Sequence, residues 1–290
     1  MHYAMQNTAI PVPGTLNVRG RLVSLSTPRV MGILNVTPDS FYDGGRHVSE
    51  KDIVRHAEKM LSHGATFLDI GGHSTRPGAD DISEEEELRR VLPAIRAVMK
   101  AFPDAMVAID TFRSNVATAA VEAGASIIND ISAGALDPLM PETVARLGVP
   151  YIAMHMRGTP KTMNTLTDYD DLVGDIIRYF HERIAGLHAL GIKDVVVDPG
   201  FGFAKTVEQN FKLLSRLSDL RILGKPIMAG LSRKSMIWRT LMTTPENALN
   251  GTTCLNTVAL LNGASILRVH DVREAVDTIT LVGRLKLPDR

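Results

Sequence analysis

Near the end of the chain, Arg268 and His270 stand two residues apart around Val269 in a short apolar run. On an extended strand that spacing turns both side chains to one face, where a guanidinium and an imidazole can grip a single anion. Residues of opposite character close other apolar runs: Asp110, Asn129 with Asp130, His155 and Asp198. Carboxylates and a carboxamide suit a flat heterocycle with several N–H donors, each of which needs its own partner. Lys234, in the run Ser232, Arg233, Lys234, Ser235, stands where a helix should start and could receive a second anionic group. Asn35 ends the first apolar run. A hard oxygen there is appropriate for Mg2+ beside a diphosphate, since that ion keeps water and phosphate oxygens as its other ligands. Together these residues describe a ligand with two unlike ends.

Such groups act together only if the elements that carry them converge. Eight apolar, β-branched runs recur, at 30–36, 66–71, 106–110, 126–131, 151–156, 194–198, 226–230 and 265–269. Most are too short and too uniformly apolar for half-exposed strands, and they suit a parallel sheet buried on both faces. Between them lie segments of helical character, among them 50–62, 84–101, 172–189 and 207–218. Ser83 with Glu86, and Thr206 with Gln209, fit capping boxes. Gly64, Gly124, Gly148, Gly191, Gly224 and Gly263 stand where helices should end, and Phe102, Pro103 and Asp104 stop another with proline. The repeat predicts an α/β fold, a (β/α)8 TIM barrel forming a single domain over 29–290. Before it, in 1–28, alternation around Arg19 and Gly20 predicts a hairpin closing the lower end.

In a barrel of this type the site lies at the C-terminal ends of the strands, where all of these polar residues fall. One strand-end Asp or Asn often only caps the next helix, and for Asp110, Asn129 or Asp198 taken singly that reading is equally good. Acceptors from three strands and cations from two others, converging on one rim, favour a site. The structural competitor is a doubly wound sheet, which usually carries a glycine-rich phosphate loop after its first strand; none stands here. The run 200–206 lacks the third glycine of a dinucleotide motif and the Gly-Lys pair of a P-loop.

Composition narrows the partners. The 290 residues are 44% hydrophobic and 22% charged, enough for a substantial core. Lys plus Arg equals Asp plus Glu at 32 each, so there is no broad field for nucleic acid or an acidic membrane, and any anion site is local. The single cysteine, Cys254, is expected in a helix as a small core residue, and no intrachain disulfide can form. With no signal-peptide pattern in 1–28 and no apolar stretch long enough to span a bilayer, the expected location is cytoplasmic. The acidic run at 84–87 reads as a first helical turn with a solvated face, His56, His63, His181 and His188 as surface or packing residues, and Trp238 as packing. His155 should face the rim without an evident partner.

Five motifs in order resemble those of the bacterial dihydropteroate synthase family: NVTPDSF at 35–41, GGHSTRPG at 71–78, DPGFGF at 198–203, GLSRKS at 230–235 and RVH at 268–270. The resemblance runs from about residue 29 to about 283. It implies an enzyme that joins 6-hydroxymethyl-7,8-dihydropterin diphosphate to p-aminobenzoate, giving 7,8-dihydropteroate and pyrophosphate, with Mg2+ as cofactor and a homodimer as the assembly. It also implies roles. Asp198, Asn129 and Asp110 would read the pterin, and Lys234 would touch the pterin ring and wall the second pocket. Arg268, His270 and Asn35 would hold the diphosphate, with Mg2+ at Asn35. Thr75, Arg76 and Pro77 would sit on the second long loop, and Phe203 and Ser235 would flank p-aminobenzoate. Two residues depart from the family's commonest pattern: His73 where glutamate is usual, and Ala204 where glycine is usual. A methyltetrahydrofolate-binding methyltransferase, a Schiff-base aldolase built on Lys234, and a silent pterin-binding homologue stay open as alternatives. The first has no need of a diphosphate grip; borohydride trapping would detect the second, and a product assay the third.

Overall fold

The computed structural model describes residues 14–36, 49–73 and 82–285. Its eight parallel strands are β3 (Arg29–Asn35), β4 (Phe67–Gly71), β5 (Met106–Asp110), β6 (Ile127–Asp130), β7 (Tyr151–Met154), β8 (Val195–Asp198), β9 (Met228–Ala229) and β10 (Ile266–Val269), preceded by β1 (Thr15–Val18) and β2 (Arg21–Ser24). They lie in the order β8-β7-β6-β5-β4-β3-β10-β9. A parallel bridge between Val197 and Ile227 joins the two outermost strands and closes the ring. Closure removes the doubly wound alternative, which requires an open sheet.

Around the ring stand α1 (Glu50–Ser62), α2 (Glu84–Ala101), α3 (Ser114–Glu122), α4 (Met140–Leu147), α5 (Leu172–Ala189), α6 (Val207–Ser215), α7 (Ser235–Thr240), α8 (Leu249–Leu261) and α9 (Val272–Leu285). The expected helices at 50–62, 84–101 and 172–189 have these bounds. The expected helix at 207–218 stops at Ser215, and a tighter 3-10 segment, Leu217–Leu223, follows. Its three-residue spacing puts Leu217 and Leu220 on one buried face. The seventh barrel strand shrinks to Met228 and Ala229 because Pro226 has no N–H to offer the ladder. Thr206 and Gln209 form a complete capping box. At α2 the Ser83 hydroxyl accepts the Glu86 N–H, while the Glu86 carboxylate is engaged by Arg89 and Arg90.

Two surface expectations need correcting. Glu87, in the acidic first turn of α2, is buried and paired with Arg113, so that turn is not wholly solvated. Cys254 lies on α8 but is exposed, because the helix turns Thr252, Asn256 and Ala259 inward instead. Among the described residues no helix is long and apolar enough to cross a membrane.

The hairpin has a defined place. β1 and β2 pair antiparallel across Arg19 and Gly20, both at positive φ (54° and 77°), the turn whose twist matches that of its strands. Leu16, Val18 and Leu25 join Met31, Phe67, Ala108, Ile127, Ile152, Val196, Met228 and Ile266 in one buried cluster. The second set supplies one inward residue from every barrel strand, so the hairpin plugs the N-terminal end. Leu16→Ala should lower the unfolding free energy by about 2–5 kcal/mol in urea titration. An unchanged urea midpoint would show that the hairpin merely lies against the barrel.

Candidate active site

Side chains alternate along a strand, so the residues two places beyond the plugged layer also point into the barrel. They are Ile33, Asp69, Asp110, Asn129, Met154, Asp198, Gly230 and Arg268. The same rule divides neighbours. Asn129 turns inward, whereas Asp130 turns outward and holds the following turn through the N–H groups of Ser132 and Gly134 and the Tyr151 hydroxyl. The chamber therefore has an apolar base and a polar second layer at the C-terminal end.

Arg268 organises that layer. Its Nε donates to Asp69 Oδ2 and a terminal nitrogen to Asp110 Oδ2, each at 2.5 Å. Asn129 Nδ2 donates to the same Asp69 oxygen at 3.0 Å. The other oxygen, Asp69 Oδ1, is buried without a hydrogen-bond partner among the described residues, an acceptor open to a ligand N–H. Burial pushes the Asp110 carboxyl above its ordinary range, against the pull of Arg268. Burial works against charge on Arg268 too, yet Asp69 and Asp110 hold it firmly protonated.

Asp198 stands across the chamber, its Oδ1 accepting the Gly200 N–H at 2.8 Å. Burial raises its carboxyl, while Lys234 pulls the other way. Burial brings Lys234 down to about 8, opposed by Asp198. The Lys234 ammonium bonds the Phe201 carbonyl and lies 4.8 Å from the centre of the Phe203 ring. The fold thus separates two adjacent cations that sequence could not tell apart. Lys234 turns to the chamber, whereas Arg233, at φ 55°, turns away and clamps Asp271 through two bonds of 2.9 Å. Phe203 packs with Ile131, Met154, Met156, Met163 and Ala204, so an apolar wall faces the polar floor.

Of the residues read from sequence as an anion grip, Arg268 lies in the polar layer, and His270 and Asn35 lie at the rim. His270 shares the inward parity of Arg268, and its Nδ1 lies 3.0 Å from Ser232 Oγ. Ser235 is the first residue of α7. Asn35 pairs in register with Gly71, and Gly71 with Asp110. Gly71 puts no side chain between them: a Cβ there would lie 3.3 Å from Asp110 Cβ and 3.6 Å from Asn35 Oδ1. Among the described residues no three His, Cys, Asp or Glu side chains gather into a metal cluster. Asn35 supplies a hard oxygen here, which suits an ion that takes its other ligands from phosphate oxygens and water.

Asp110, Asn129, Asp198, Lys234, Phe203 and Arg268 are thus brought to one chamber, with Asn35, His270 and Ser235 at its mouth. Thr75, Arg76 and Pro77 lie outside the described residues. Sequence reasoning missed Asp69 and the wall of Ile131 and Met154. The two-residue alternation from Phe67 could have found Asp69 once the barrel was assumed. His155, expected to lack a partner, is buried with Lys205 Nζ at 3.1 Å from its Nδ1. Ala204 has φ 48°, a left-handed conformation that explains why glycine is the commoner residue there. His73 meets the Phe112 ring edge-on at 5.7 Å between centroids.

Residues 31–270 match the family described as pterin binding enzyme. Among curated proteins, dihydropteroate synthase of Escherichia coli K12 is 44% identical over 269 residues, 92% of this chain and 95% of that protein. Among solved structures, a Yersinia pestis dihydropteroate synthase in a sulfonamide drug complex superposes with a TM-score of 0.88 at 44% identity, covering 94% of this chain and 99% of the other. A Xanthomonas albilineans dihydropteroate synthase with 4-aminobenzoic acid gives a TM-score of 0.88 at 42% identity, covering 95% and 99%.

The raised carboxyls of Asp110 and Asp198 set a sign for pH dependence. Between the ordinary carboxylate value, about 4, and their raised values, the folded chain keeps protons that the unfolded chain has released. Their contribution to stability should therefore decline as pH rises through that window. Asp110→Asn, which cannot ionise, should show a shallower decline in denaturant titrations between those limits. An identical slope for both proteins would mean that Asp110 ionises normally in the fold.

Proposed function

The chain belongs to the pterin binding enzyme family, within its dihydropteroate synthases, and on that premise we propose how this chamber does the chemistry. The reaction is the condensation of 6-hydroxymethyl-7,8-dihydropterin diphosphate with p-aminobenzoate to give 7,8-dihydropteroate and pyrophosphate, a transferase step of folate biosynthesis. The observation that carries the reading is that Arg268 shares one chamber with Asp69, Asp110, Asn129, Asp198 and Lys234. Acceptors for a ring and cations for its anionic tail are within reach of one molecule.

The pterin would lie on the floor, its N–H donors taken by Asp198, Asn129, Asp110 and the open oxygen of Asp69. Its diphosphate would run from Arg268 in the polar layer to the rim, where His270 and Asn35 meet it. Asn35 would be the protein ligand of Mg2+, which when bound neutralises charge on the leaving group. As the methylene–oxygen bond breaks, positive charge spreads into the ring. The carboxyl groups of Asp69, Asp110 and Asp198 surround the ring, and a cation there would draw protons from the raised pair, so the floor favours that cation. Phe203 and Ser235 would hold p-aminobenzoate between the apolar wall and the start of α7, with Thr75, Arg76 and Pro77 on the opposite loop. The apolar wall keeps water from the carbon, so the arylamine attacks in its place. A neutral arylamine is nucleophilic without a strong base.

A homodimer in the cytoplasm completes the proposal. The packed helices α8 and α9 expose Val258, Leu261, Leu281 and Leu285, an apolar face that a second copy could cover, which sedimentation would reveal.

Pyrophosphate should be released only when both substrates and Mg2+ are present, and sulfonamides should compete with p-aminobenzoate. Release without the arylamine, or inhibition untouched by excess p-aminobenzoate, would contradict the reading. Arg268 also neutralises two carboxylates, so Arg268→Ala would disturb the floor as well as the grip. Arg268→Lys keeps the charge but loses the fork. It should lower turnover by about 10²-fold while leaving affinity for a pterin without diphosphate little changed. Equal losses in the two assays would refute the grip.

A further inference from the structure

The segment from Gly200 to Lys205 is neither helix nor strand, yet side chains hold most of its carbonyls and two of its N–H groups. The Gly200 N–H goes to Asp198 Oδ1 and the Gly202 N–H to Asn210 Oδ1 at 2.7 Å. The Phe201 carbonyl accepts from Lys234, and the Ala204 carbonyl from the Tyr169 hydroxyl at 3.0 Å. Two further carbonyls, of Gly200 and Phe203, accept from one buried side chain: Lys205 Nζ, at 3.1 and 3.0 Å.

Lys205 is 9% exposed. Its third bond runs to His155 Nδ1 at 3.1 Å. Burial pulls Lys205 down to about 7 against the charge of Asp198; as an ammonium it has only donors, so that imidazole nitrogen accepts and His155 is the neutral tautomer with its proton on Nε2. Burial, then the charge of Lys205, drives His155 down to about 2, consistent with a permanently neutral ring. His155 is itself fixed edge-on against Tyr179, 4.9 Å between centroids. The strand also touches the loop directly: Gly200 abuts the His155 carbonyl so closely that no Cβ would fit. Three acceptors thus surround Lys205 in a trigonal seat, and no hydrogen-bonded carboxylate is among them.

We propose that Lys205, seated on His155, is a positioning residue that fixes Phe203 against Lys234 and so shapes the p-aminobenzoate side of the chamber. Two lysines clasp the loop. Lys234 takes the Phe201 carbonyl, and Lys205 takes those of Gly200 and Phe203. With Lys205 truncated, the Phe203 carbonyl loses its donor and the Gly200 carbonyl keeps only the Phe203 N–H, so the loop relaxes towards water and the Phe203 ring leaves its place. Asp69, Asp110 and Asn129 stand on strands outside the clasp, and Asp198, which holds the Gly200 N–H, is itself anchored on β8, so the deficit falls mainly on the second substrate. This rests on the reading of Phe203 as a wall of the p-aminobenzoate pocket.

The test compares Lys205→Met, His155→Leu, His155→Asn and Phe203→Ala in steady-state kinetics, with pterin affinity measured separately by calorimetry. Lys205→Met and His155→Leu should each raise KM for p-aminobenzoate by about tenfold, with pterin affinity held within about twofold. His155→Asn, which can place an oxygen near the lost Nδ1, should recover most of the loss. An unmoved KM in Lys205→Met overturns the inference whatever the melting temperature does, and so does a loss shared equally by both substrates. If Phe203→Ala also leaves KM unmoved, the fault lies with the reading of Phe203 instead. Nitrogen NMR of the unmodified protein needs no variant to fold: it should show His155 neutral, with its proton on Nε2 across the range near neutrality. A proton on Nδ1 overturns the inference.

Discussion

One arginine shared between two acids holds the chamber together. Arg268 reaches from the last strand to Asp69 and Asp110 on two others, and Asn129 adds a bond to the same Asp69 oxygen. A buried carboxylate without a partner is costly, and three in one chamber would repel one another. Arg268 offsets that repulsion, so Asp69 and Asp110 can face a single ring together. The arrangement is poised, because Asp69 keeps one oxygen open and a ligand can add donors without breaking what is present. The proposed diphosphate grip and the proposed pterin floor are therefore one electrostatic unit, read from its two sides.

Closing the sheet makes that unit possible. Period-two alternation sends one residue from each strand inward at every level, and the parallel register fixes which levels meet. A polar layer directly above an apolar layer is thus a property of eight strands acting together. At the last strands, a left-handed residue, Arg233, reverses the chain so that the next one, Lys234, enters the chamber. Its clamp on Asp271 ties that reversal to the end of the strand that carries Arg268.

Much of this was legible in the sequence, and the division has a physical basis. Helix bounds such as Glu50–Ser62 and Leu172–Ala189 follow from caps and apolar spacing, which are local and can be read within a few residues. Strand-end residues such as Asp110 and Arg268 could be placed at one rim because strand direction is shared. What stayed hidden is pairing at a distance. Arg268 and Asp69 are 199 residues apart, and His155 and Lys205 are 50 apart. Nothing local distinguishes Glu87, buried against Arg113, from its solvated neighbours in the same acidic run, or marks Cys254 as facing outward. Only packing decides these. Ala204 is the intermediate case: its departure from glycine was visible, but its meaning needed the backbone angle.

The hairpin under the barrel has a last consequence. With Leu16, Val18 and Leu25 filling the lower opening, the described residues leave the vessel one door, at the other end. Every molecule must come and go past the same threshold, so a guest lodged at the bottom has to arrive before anything seated above it and depart after it. Queueing of this kind comes from topology alone, before any affinity is considered.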